Sequence, residues 1–179
     1  LMVSEMEAAI AASYPLVESR PSPRLLGWLE HQGEHYGKVV SGTAEIVAEV
    51  RRQIKYGADW IKVHVTGLVP RHPLRGEVKS WTRDELRLVV DTAHEPGIPV
   101  QGHCRGASAA SDCCAAGMDL VLHGTLMDDK ALDALVETKT PVMPVFAFQA
   151  NLADYGAAIG ADPTVREMFR REIADSAAM

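Results

Sequence analysis

The stretch from Trp60 to Gly67, WIKVHVTG, decides how this chain folds. Its β-branched positions read as a strand, and side chains along a strand alternate between two faces. Ile61, Val63 and Val65 share one face, which is wholly apolar. Lys62, His64 and Thr66 share the other, which is polar. Two later runs repeat the pattern. IPVQGHCRG, residues 98–106, puts Gln101 and His103 on one face, and DLVLHGT, residues 119–125, carries His123 near its end. In a doubly wound sheet both faces meet helices and stay apolar. A face that turns polar toward the strands' C-terminal ends fits instead the interior of a closed barrel, opening onto a site at its mouth.

The segments between these runs have helical periodicity. Ile46, Val47, Val50 and Ile54 form one apolar face of a helix that Thr43 can cap and Gly57 can stop. Thr82 and Glu85 make a capping box for a helix whose Leu86, Val89, Val90 and Ala93 face the core. Residues 107–116 form a small-residue helix closed by Gly117. Asp128 caps a helix with Leu132, Leu135 and Val136 inward. Pro141 to Phe148 reads as a further strand. Asp162 and Pro163 open a last helix, with Val165, Met168, Phe169 and Ile173 on its buried side. Strands alternating with amphipathic helices imply a parallel sheet with right-handed crossovers. The expected architecture is therefore α/β, a (β/α)8 TIM barrel, with residues 43–179 supplying successive βα units. Residues 1–42 form an N-terminal segment of less regular pattern. A helix from Ser4 to about Ser13 and a loop from His31 to Gly37 are expected there. The loop from Gly67 to Trp81 is longer than most βα connections, and long loops are often functional.

Bulk properties narrow the classes. The chain has 179 residues, 47% of them hydrophobic and 23% charged, ordinary values for a globular protein. A net charge of -6 and the lack of a basic stripe with aromatics argue against nucleic acid as a partner. No apolar run approaches the roughly 20 residues that cross a bilayer, so no membrane association is expected. Three cysteines, Cys104, Cys113 and Cys114, make a poor disulfide framework and read as reduced thiols of a cytoplasmic protein. The N-terminus has neither the basic nor the apolar region of a secretory signal. Alternation turns Cys104 away from His103, so it is expected to pack.

The chemistry sits at the strand ends. His103 and His123 are 123 minus 103, or 20, residues apart, about one βα unit, so they fall on adjacent strands at one height. Neutral imidazole is a common zinc ligand. Lys62 faces inward, where desolvation lowers the pKa of an ammonium and frees an amine able to react with carbon dioxide. The resulting carbamate has two oxygens and can bridge two divalent metals. A lysine ion-paired with a barrel carboxylate is the plainer alternative.

Together, GADWIKVHVTG, HEPGIPVQGHCRG and AGMDLVLHGTLMDD resemble the amidohydrolase superfamily, most closely its prolidase-like, imidazolonepropionase-related branch. The resemblance runs from about Gly42 to Met179. It implies a lysine after strand four that is carboxylated and bridges two zinc ions, and histidines after strands five and six that complete the second metal's shell. By position these are Lys62, His103 and His123. It implies hydrolysis of an amide or peptide bond, in a dipeptide or N-acyl amino acid, by a metal-activated hydroxide. Candidate substrate-binding residues are His64, on the face of Lys62; Arg105, suited to a carboxylate or to a surface salt bridge; and Tyr155, in a loop after the last strand. The family's HxH pair after strand one and aspartate after strand eight have no counterpart here, and a full barrel needs about 250 residues. The chain is therefore expected to hold strands four to seven of an incomplete barrel. Two other readings follow: a catalytically incomplete or non-enzymatic remnant, and a mononuclear cyclic-amide hydrolase, which Lys62 disfavours. The open edges of a partial barrel predict a homo-oligomer. His31, His72 and His94 are expected to be solvated, and His35 is set aside.

Overall fold

The computed structural model describes residues 25–26, 37–66 and 79–178. The expected helix at Ser4 to Ser13, His31, His35, His72 and most of the loop after Gly67 lie outside them.

Six parallel strands form one sheet among the described residues: β1 (Leu25–Leu26), β2 (Gly37–Lys38), β3 (Ile61–His64), β4 (Val100–Arg105), β5 (Leu120–Thr125) and β6 (Val142–Met143). Their spatial order is β2-β1-β3-β4-β5-β6. From β3 to β6 that order follows the chain, one βα unit after another, as in a TIM barrel. At the N-terminal side β1 lies between β2 and β3, so chain order is not kept there. The connecting helices are α1 (Gly42–Lys55), α2 (Arg83–His94), α3 (Ala107–Ala116) and α4 (Asp129–Thr138). After β6 come α5 (Ala147–Tyr155), a 3-10 turn (Gly156–Ile159) and α6 (Pro163–Ala177).

The apolar face of β3 packs as its alternation requires. Ile61, Val63 and Val65 are buried together with Ile46 and Val50 of α1 and Leu86, Val89, Val90 and Ala93 of α2. The helix boundaries follow local chemistry. Thr82 and Glu85 form the capping box, Asp128 accepts from the backbone of Ala131, and Asp162 caps α6 with Pro163 in its first turn. Gly117 ends α3 in the left-handed region, at φ 86°. The helix for which Thr43 is the expected cap begins two residues earlier, at Gly42, with Ser41 at its cap position.

Two segments differ from expectation. The strand expected from Pro141 to Phe148 pairs only at Val142 and Met143, and α5 has begun by Ala147. Pro144 explains the stop, because it has no N–H to donate to the ladder. Tyr155 therefore ends a helix rather than sitting in a loop. On α4 the buried positions are Ala131 and Leu135, while Val136 is 77% exposed, so the inward stripe is narrower than the sequence suggests.

Between β4 and α3 the approach is close. A Cβ placed on Gly102 would lie 2.8 Å from Met118 Sδ, 2.9 Å from Cys113 Sγ and 3.3 Å from Cys104 Sγ. Cys104, Cys113 and Cys114 are free thiols in this layer. Cys104 packs away from the polar face, as alternation predicts, with its sulfur 3.0 Å from that of Cys113. The Cys104 contact and burial push the Cys113 thiol well above its ordinary range. Buried thiols of this kind are unreactive.

Candidate active site

The polar face of the sheet gathers four of the expected residues. His64 and His103 are paired in register across β3 and β4. Their rings stack with centroids 4.7 Å apart. The His123 ring meets His103 edge to face at 4.5 Å. Lys62 lies two residues before His64 on the same face, and its burial lowers the pKa of the ammonium.

His123 reaches this cluster by an unusual route. In the ladder it pairs with Cys104, while Leu122 pairs with His103. Simple alternation would thus send the His123 ring outward with Cys104. Two features reverse it. His123 has φ 71° and Gly124 φ 57°, both left-handed, and the register slips between Cys104 and Arg105. A non-glycine residue in the left-handed region costs on the order of 1–3 kcal/mol and persists where its surroundings fix it. Here Nδ1 of His123 lies 3.3 Å from the carbonyl oxygen of Val145. Gly124 has no space for a side chain, since a Cβ would fall 2.7 Å from Val142 Cγ1 and 3.1 Å from Met127 Cε. Gly124→Ala is expected to lower stability by about 1–3 kcal/mol, measured as a lower urea midpoint with an unchanged slope; an unchanged midpoint would show that the turn is not constrained.

Two of the imidazoles are held neutral. Burial first, then the charges of Lys62 and His123, push the pKa of His64 down to about 3. Burial and the Arg105 cation push His123 down to about 4, against the opposing Val145 carbonyl. Neutral imidazole is the form that ligates metal. The rings follow one another in series, and among the described residues no three or more His, Cys, Asp or Glu side chains are gathered as a metal cage. The nearest potential donors are the two adjoining imidazoles, His103 and His123, with Lys62 on the same face of the sheet. Their chemistry fits a divalent ion if the lysine carries an acidic adduct.

Arg105 is not at the surface, nor is it open to a substrate in this arrangement. It is 2% exposed. Nε donates to Glu172 Oε1 at 2.9 Å and Nη2 to Glu172 Oε2, and the guanidinium lies 5.1 Å from the Phe169 ring centre. The fork geometry that suits a substrate carboxylate is taken by an internal one. Tyr155 is 64% exposed at the end of α5, so it is not drawn into the histidine cluster. His94 is bonded at 2.8 Å to Asp119, away from the cluster on α2. His64 is 3% exposed and lies against His103.

Residues 4–154 match the model of the amidohydrolase family. The chain belongs to that family. The amidohydrolase chain is 28% identical over 135 residues to an uncharacterised protein of Mycobacterium tuberculosis, a match covering 72% of this chain and 34% of that protein. Among solved structures it is similar to a Xaa-Pro dipeptidase with methionine bound in its active site, with 31% identity, TM-score 0.65, and 78% of this chain and 35% of that one covered. A prolidase complexed with N-methylphosphonate-L-proline superposes with TM-score 0.72 at 24% identity, covering 87% of this chain and 42% of that one, and shows the fold. The amidohydrolase chain thus spans about a third to two-fifths of the length of these relatives. Among its described residues, no helix is long and apolar enough to cross a membrane.

Glu172 carries little signal in the sequence. It sits on α6 with Met168, Phe169 and Ile173, where the periodicity suggests only an apolar face. It is 3% exposed and collects Arg105, Thr125 and Gln149. The available hint is its place directly before Ile173 and one helical turn after Met168. That stripe is expected to be buried, and an unpaired charge there would be costly.

Proposed function

We propose that the protein carrying this chain hydrolyses an amide or peptide bond with the help of divalent metal, and that dipeptides or N-acyl amino acids are its substrates. The observation that carries the reading is the edge-to-face approach of His103 and His123 at 4.5 Å, achieved at the expense of a left-handed backbone at His123. Strain of that kind clusters at functional sites. Family membership and the likeness to the Xaa-Pro dipeptidase support the same reading.

His103, His123 and Lys62, the last as its carbamate, would hold the divalent metal, zinc by preference and two ions in a complete barrel. A bound divalent ion supplies Lewis acidity toward the scissile carbonyl. The residues of this chain prepare that site. A low pKa keeps His123 unprotonated at neutral pH, so no proton competes for its ligating nitrogen, and the neighbouring His64 is neutral as well. His64 stacks on His103 and fixes its ring plane. Burial lowers the pKa of Lys62, which favours the free amine that carbon dioxide needs. Trp81 donates its indole N–H to the His64 carbonyl at 2.8 Å and ties the end of β3 to the start of α2.

The test is hydrolysis of Xaa-Pro dipeptides and N-acyl amino acids by the purified protein, with metal content measured alongside. Chelation should abolish turnover and added zinc should restore it. The variant His103→Ala/His123→Ala should lose metal while keeping its circular dichroism. Metal retained by that variant, or turnover indifferent to the chelator, would overturn the assignment.

A further inference from the structure

We infer that Glu172 is a positioning residue, which holds the left-handed turn at His123 and Gly124 and so aims the His123 ring at His103. The inference rests on the reading of those two histidines as the reactive pair, and it adds a residue of α6 that no strand-end motif contains.

The geometry is specific. The final rung of the β4–β5 ladder, beyond the register slip, pairs Arg105 with Thr125. Both side chains of that rung donate to the same carboxylate: Arg105 through Nε and Nη2, and Thr125 through its hydroxyl. Gln149 of α5 adds a third donor, Nε2 to Oε1 at 3.1 Å. All four residues are buried. The main chain closes the same rung, as the Gly106 N–H donates to the Thr125 carbonyl at 2.8 Å.

Thr125 directly follows the two left-handed residues. A chain running His123–Gly124–Thr125 would relax toward an extended strand if its C-terminal end were released, because the left-handed conformation is costly for histidine. Relaxation would restore alternation and swing the ring to the Cys104 side of the sheet. On the N-terminal side, Val121 and Leu122 are held by pairing with β4 and β6. On the C-terminal side, the Thr125 anchor is Glu172 together with the Gly106 bond. Hydrogen bonds to a charged partner are stronger than neutral ones, and in a buried setting they set the geometry of what they hold.

Two substitutions separate positioning from bulk stability. Thr125→Val keeps the branched shape and removes the hydroxyl, and Glu172→Gln keeps size and removes the charge. In the full chain, amide exchange at Gly124 and Thr125 should quicken about tenfold in Thr125→Val, while exchange in α2 stays unchanged. In a preparation that turns over Xaa-Pro substrate, kcat should fall with KM held within about twofold, as expected when geometry rather than uniform binding is lost. Thr125→Ser should restore both readings. Glu172→Gln serves as the second route to the same exchange result. Unaltered exchange at 124 and 125 in either variant, or a Thr125→Ser variant as impaired as Thr125→Val, would overturn the inference. Faster exchange in a protein that hydrolyses no amide would support the positioning role and sink the hydrolase reading instead.

Discussion

Arg105→Met is expected to destabilise the protein by about 3–5 kcal/mol, the usual cost of removing one partner of a buried ion pair. Arg105 and Glu172 are each 3% exposed at the side chain, so the orphaned carboxylate has no route to bulk water without moving α6. Thr125 and Gln149 remain as donors, but neither brings a charge. The prediction has a second half. Adding Glu172→Leu to Arg105→Met should recover most of the loss, because replacing both partners by apolar groups of similar volume is often neutral or better. Urea unfolding of the two single variants and the double variant forms the cycle. Arg105→Met within about 1 kcal/mol of the parent would show that the pair contributes little and that α6 is held by Phe169 and its apolar neighbours alone.

The metal-free protein should lose stability as the pH falls from about 6.5 toward about 4. In the folded state His64 titrates near 3 and His123 near 4, whereas an unfolded histidine titrates near 6.5. Between those values the unfolded chain binds protons that the folded chain refuses. The folded pKa is the depressed one, so the stabilisation is complete above the unfolded pKa and is lost as the pH drops through the window. The slope is about 1.4 kcal/mol per pH unit for each histidine, and over the shared window the two together amount to on the order of 7 kcal/mol. Urea unfolding in chelator at several pH values measures it. His64→Gln and His123→Gln should each flatten the curve by one histidine's share. A stability that is level from about pH 7 to about pH 5 would show that neither ring is buried in its neutral form.

Much of this arrangement is legible in the sequence because it follows from alternation and periodicity. Lys62, His64 and His103 fall on the polar face since their strands are regular, and Ile61, Val63 and Val65 fall on the helix side for the same reason. The capping box at Thr82, the stop at Gly117 and the start at Pro163 rest on local chemistry that acts without tertiary help. His123 is a different case. The 20-residue spacing from His103 argues for its place in the cluster, but strict alternation would turn the ring to the Cys104 side, and only the left-handed backbone reverses that. The early end of β6 runs against the apolar pattern from Pro141 to Phe148, and the donor missing at Pro144 outweighs that pattern. Glu172 is beyond local reading: its partners Thr125 and Arg105 lie 47 and 67 residues away, and nothing in local pattern specifies which buried charge meets which. For Arg105 the carboxylate-binding fork is legible, and its internal partner is not.

The three sulfurs crowded against Gly102 bear on how such a scaffold can be altered. The strand carrying His103 has no side chain of its own at this point, and the room is filled by the side chains of Cys113 and Met118. A Cβ here would lie within 3.0 Å of the Met118 and Cys113 sulfurs, so those side chains must shift or the strand must move, and a moving strand carries the neighbouring His103 with it. The floor beneath the histidine cluster is therefore tightly filled, and changes to its shape are easier at the rim, through residues that border solvent.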